Sequence, residues 1–194
     1  MSSPSPHWLG DTETKPAPDP LRRVQALVNT IEMPEGRDRL ADPTEAQPWL
    51  ISTGLLGPQT DLRPGDLDLV RGVREGVRAM LVQNAGGPPP TDAAFAPLRK
   101  VAAVQTAHAD LTEVGEIRLR AGGDSVPARL IELLLIIRDA QRDGTWARLK
   151  ACGNDECHWA FYDRSRNHGG TWCDMSSCGN KLKNREFRAR KRGN

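Results

Sequence analysis

Apolar positions recur at helical spacing in five stretches of the chain. In the first, Leu21, Val24, Leu27, Val28 and Ile31 share a face, Asp19 is placed to cap and Pro20 to open the helix, and Pro34 to Gly36 ends it. A short second helix is predicted after Asp42-Pro43-Thr44-Glu45, an N-cap followed by a first-position proline and a capping-box glutamate. It turns Trp49 and Leu50 inward and stops at Gly54, with Pro48 interrupting it. The third stretch is the clearest. Asp66 caps it, and Leu67, Val70, Val73, Val77, Met80 and Leu81 form one stripe. Arg71, Arg74, Glu75 and Arg78 form another, read here as a solvated face. A fourth helix runs from the 90s to Val104, its start left open by Pro97. Residues 107–121 alternate polar and apolar in part around a glycine, which predicts a β-hairpin closed by Gly122-Gly123. The last helix, from about Ser125 to Arg142, is apolar on nearly every side and is predicted to be the central core helix.

The ends of the chain read differently. Residues 1–19 are rich in Pro, Ser and Thr and are expected to form a disordered tail, with Trp8 and Leu9 the exception that docks on the body. No signal peptide is visible, and no apolar run approaches the ~20 residues needed to span a bilayer. A cytoplasmic protein that does not enter membranes is expected. Net charge is +2 over 194 residues, but it is unevenly spread. Residues 1–145 carry −4 and residues 146–194 carry +6. A basic end on an acidic body suits a polyanionic partner.

All four cysteines lie in that basic end. Cys152, Cys157, Cys173 and Cys178 form the pattern C-x4-C-x15-C-x4-C. Two equal pairs, separated by enough chain to fold back, bring four thiolates to one tetrahedral zinc ion. Two disulfides would also use four cysteines, but they belong to secreted chains. His158 and His168 could replace a thiolate, yet four cysteines already complete the shell. One structural Zn2+ is therefore expected. So small a segment builds little core, so the metal and Trp159, Phe161, Tyr162 and Trp172 must stabilise it. Nearby N–H groups and cations such as Arg164, Arg166 and Lys181 are expected to offset the charge of the thiolates. Asp163 and Ser165 read as turn-capping residues rather than as a catalytic acid and nucleophile.

After Cys178, Lys181, Lys183, Arg185, Arg188, Arg190, Lys191 and Arg192 face only Glu186. As a helix this segment would place Lys181, Arg185, Arg188 and Arg192 on one stripe suited to a DNA groove or phosphate backbone.

These residues resemble the CGNR zinc-finger proteins, whose helical N-terminal part is called the ABATE domain. The likeness rests on Cys152 and Cys157, on WAFYDRSRN from Trp159 to Asn167, on Trp172-Cys173 with Met175, and on Cys178-Gly179-Asn180. It continues through Leu27-Val28-Asn29-Thr30, Pro48-Trp49-Leu50 and Arg74-Glu75-x-Val77-Arg78. The resemblance implies four cysteine zinc ligands and a stress-related, DNA-binding role in transcription. One position departs: Lys181 stands where the family name has arginine, keeping the charge but losing the planar fork.

The expected architecture is mainly α. A disordered tail (1–19) precedes a helical ABATE-like domain with a small β-hairpin (20–145). A four-cysteine zinc finger with a basic C-terminal helix follows (146–194). The expected function is bacterial, nucleoid-associated transcription regulation through DNA, with a helical part that senses a signal or forms a homodimer. A protein- or RNA-binding module docking on an acidic partner is the alternative. No catalytic residue is assigned, because four thiolates leave zinc no open position.

Overall fold

The computed structural model describes residues 8–180. Helices predominate, joined by three two-stranded antiparallel sheets where the sequence predicts one hairpin. No helix among the described residues is long and apolar enough to cross a membrane.

Helix α1 (Arg22–Val28) is shorter than its apolar pattern. The chain leaves it at Asn29, and the Thr30 hydroxyl donates back to the Leu27 carbonyl at 2.8 Å. Ile31 therefore lies not on the helix but in β1 (Ile31–Glu32), paired with β2 (Arg37–Asp38). Helix α2 (Pro43–Ser52) begins as predicted, with the Asp42 carboxylate accepting the Thr44 N–H at 2.7 Å, and it continues through Pro48. Helix α3 (Asp66–Asn84) is capped by Gly65 rather than Asp66, which is its first residue and accepts the Arg63 N–H at 2.8 Å. Helix α4 (Asp92–Val104) starts at a Thr91 cap. The predicted hairpin is β3 (Ala107–Leu111) and β4 (Ile117–Ala121), paired Ala107↔Ala121 to Leu111↔Ile117. Helix α5 (Val126–Asp143) ends at Gly144 in the left-handed conformation. A turn at Trp146–Arg148 then leads into β5 (Leu149–Ala151), which pairs with β6 (Ala160–Tyr162).

Helix α3 packs against α1, α4, α5 and β5. Val70, Val73, Val77 and Leu81 of its predicted stripe are buried among Val24, Leu27, Val28, Leu130 and Leu133. Leu149, Ala151, Ala160 and Tyr162 belong to that same cluster. The strands of the cysteine-rich end thus complete the core of the helical body, and no gap in packing marks residue 145.

Two expectations are overturned. The row on α3 is solvated only at Arg71 and Glu75: Arg74 is 4% exposed and Arg78 9%. Each has carboxylate partners, Asp38 at 2.7 Å for Arg74 and Glu75 for both, so a cation can sit inside. The disordered tail is also incorrect for residues 8–19. Trp8 is buried, with the Arg37 and Arg39 guanidinium groups 4.7 and 4.9 Å from its ring. Leu9, by contrast, is exposed. From Glu13 to Ala17 the chain lies along β6, tied by Tyr162 N–H to the Lys15 carbonyl at 3.0 Å. Such a segment has no core of its own, but it supplies hydrogen bonds that a strand edge lacks.

Candidate metal centre

Each cysteine pair is set by a tight turn. In the first, Cys152 follows β5 directly, and its N–H donates to the Trp159 carbonyl at 2.9 Å. The Asn154 carbonyl takes the N–H groups of Cys157 and His158, closing the turn. In the second, the Asp174 carboxylate accepts the Ser177 N–H at 3.0 Å and caps the π-helical turn Met175–Gly179 that carries Cys178. The Asn154 amide crosses between the turns and donates to Cys178 Sγ at 3.5 Å. Gly179 lets the turn pack closely: a Cβ there would lie 2.7 Å from the Met175 sulfur, whose flexible end would have to shift, and 3.1 Å from the Trp172 ring.

The four sulfurs lie within 4.8 Å of one another, and none is in a disulfide. Cys173 Sγ is 3.8 Å from both Cys157 Sγ and Cys178 Sγ. A tetrahedral zinc ion with bonds of about 2.3 Å sets its sulfurs about 3.8 Å apart, so the donor set fits. Electrostatics point the same way. Hydrogen bonds from Cys157 and Cys173 hold the Cys152 thiol far below its ordinary value. The same bonds to Cys152 push the Cys157 and Cys173 thiols up. Crowded thiols cannot all ionise unaided, and a divalent cation lets them do so. The centre holds one structural Zn2+. Cys152 and Cys178 are buried and Cys157 and Cys173 are half-exposed, beside a cavity of about 480 Å³ lined in part by Glu35, Glu156 and Asp174.

Comparison with known families then bears on this geometry. The CGNR zinc finger family matches residues 148–191. The ABATE family, described as a putative stress-induced transcription regulator, matches residues 21–142, more than half of the chain. The chain belongs to the ABATE family. No curated protein matches it.

The motif residues of the ABATE domain meet the finger directly. The Asn29 side chain pairs with the backbone of β6, accepting the Ala160 N–H at 2.8 Å and donating to the Ala160 carbonyl at 2.9 Å. It does for the strand edge what a neighbouring strand would do. Gln25 donates to the same carbonyl at 3.1 Å. Arg78 spans the junction, donating to the Val28 carbonyl at 2.7 Å and to the His158 carbonyl at 2.9 Å. Glu13 accepts from both Asn29 and the Trp159 indole, at 3.0 and 2.9 Å. Sequence reasoning missed this junction. The signal was the amide and guanidinium residues set among apolar positions on α1 and α3, Gln25, Asn29, Arg74 and Arg78.

Other expectations divide. Phe161 and Tyr162 are buried as packing residues. Neither His158 nor His168 joins the sulfur cluster. Arg164, one of the cations expected near the thiolates, is engaged elsewhere. It donates to the Pro16 carbonyl and lies over the Tyr162 ring, and the N–H group at the sulfur is the Asn154 amide. Asp163 is the turn cap expected, accepting the Ser165 N–H at 3.0 Å. Lys181, Lys183, Arg185, Arg188, Arg190, Lys191 and Arg192 lie outside the described residues.

Proposed function

We propose that this ABATE protein regulates transcription by binding duplex DNA, with the zinc finger as a rigid base and the basic segment beyond it as the contact. One observation carries the reading. Three residues after Cys178, the last member of the sulfur cluster, the chain enters a run of seven cations opposed by Glu186 alone. A metal-fixed turn at that point would aim the run, and each phosphate neutralised releases counterions. Zinc is structural in this account, and the protein is not an enzyme: four thiolates close the shell against a substrate or an activated water. Its place of action is the nucleoid, in the cytoplasm.

The test is binding of a labelled duplex across a range of salt. Affinity is expected to fall linearly on a log–log plot, and replacing the seven cations from Lys181 to Arg192 by glutamine should flatten that slope without loss of zinc. Unchanged binding by that variant would overturn the proposal. Stronger binding of RNA than of duplex DNA would favour an RNA-binding module instead.

A further inference from the structure

The loop between Asp163 and Gly170 is held from beneath by a buried ion pair. Lys150 Nζ meets Asp163 Oδ2 at 2.9 Å, and the two side chains are 8% and 3% exposed. The same ammonium donates to the His168 carbonyl and, at 3.4 Å, to the Gly170 carbonyl. Asp163 accepts the N–H groups of Ser165 and Gly170, at 3.0 and 2.7 Å. Arg148 reaches the carbonyls of Asp163 and Ser165 at 3.1 and 3.3 Å. The backing is close. A Cβ on Gly170 would lie 2.7 Å from the Asp163 carboxylate, whereas one on Gly169 would meet nothing within 4 Å.

The consequence is a loop whose carbonyls are turned onto cations inside, while residues 164–169 face solvent. Arg166 and Asn167 have no partner for side chain or backbone N–H among the described residues. A buried ion pair is a poor way to add stability, since apolar residues of similar volume do as well. What it contributes here is a fixed loop shape. A guanidinium with unused N–H donors on a fixed loop is preorganised for an anion, because little freedom is lost on contact. The cavity beside the sulfurs is lined by Glu35, Glu156 and Asp174 and would repel a polyanion. Within residues 163–170, Arg164 and Arg166 stand against Asp163 alone, and that carboxylate is paired with Lys150.

We infer that residues 164–169 of the finger grip a DNA phosphate, with Arg166 as the contact residue, in addition to the basic segment after Cys178. This rests on the reading of the finger as a DNA-binding module. The experiment measures binding of the full chain to a labelled duplex of arbitrary sequence, from low to moderate salt. Arg166→Gln should weaken binding roughly eight-fold at 0.1 M salt, the factor carried by release of one counterion, and reduce the log–log slope by about one. Arg166→Lys should restore the slope. Lys100→Gln, an exposed cation on α4, should bind as wild type, and zinc content and circular dichroism should match in all three variants. If Arg166→Gln binds as wild type while the glutamine-substituted tail does not, the loop assignment is overturned and the finger's role stands. A wild-type chain that binds no duplex, or that prefers single-stranded RNA, overturns both.

Discussion

Replacing Asp163 by asparagine would leave the Lys150 ammonium buried among the His168 and Gly170 carbonyls without a counter-charge. Removing one member of a buried pair costs about 3–5 kcal/mol, so Asp163→Asn should lower the free energy of unfolding by about that amount in denaturant titrations at neutral pH. Acid should narrow the difference. Burial alone would raise the Asp163 carboxyl, but hydrogen bonds from Lys150, Ser165 and Gly170 outweigh it and hold it well below the usual carboxylate range. A group depressed by folding stabilises above its unfolded value, about 4, and that contribution is lost as pH falls through the folded value. The wild-type chain should therefore show the steeper acid limb below about pH 4. Zinc loss is common to both chains and cancels from the comparison. The local part of this role, a turn-capping aspartate, is readable in YDRSRN. Its buried partner is not, because Lys150 sits 13 residues earlier, across a strand pair.

At the scale of elements, β6 is bordered on both sides. Strand β5 pairs along one edge, and the segment from Glu13 to Ala17, with the Asn29 amide, covers the other. Deleting residues 1–16 should bare the Tyr162 N–H, and its hydrogen exchange should accelerate towards that of a local opening while α3 amides stay protected. Retained protection at Tyr162 would show that the edge is covered otherwise. The helices themselves were legible because their signals are local: the Asp42 cap and the apolar stripe of α3, whereas the Thr91 cap of α4 was not read. Alternation around a glycine likewise revealed the β3–β4 pair. The covering segment was not legible. Its proline- and threonine-rich composition describes a chain that cannot build a core, and says nothing of one that borrows a neighbour's edge.

At the scale of the whole molecule, the finger and the ABATE domain share one hydrophobic cluster. Zinc binding should therefore be felt beyond residues 146–178. Chelation is expected to lower a single calorimetric transition by about 10 °C or more, at roughly 2–4 °C per kcal/mol for a chain of this size. Amides of α1 and α3 should lose protection together with those of β5 and β6. Two separate transitions, with the helices unaffected, would show that the finger melts alone.

The division between sequence and fold follows the range of the interactions. Cysteine spacing, helix caps and hairpin alternation are set within a few residues of each other, and the sequence by itself determined a zinc finger behind a helical body. The burial of Arg74 and Arg78, the pairing of Asn29 with Ala160 and the seating of Glu13 against Trp159 join positions up to 146 residues apart. An arginine or asparagine has the same polarity in a sequence whether it meets water or a buried carbonyl. Only the tertiary structure, by supplying those partners, decided which polar residues turn inward to bind the finger to the body.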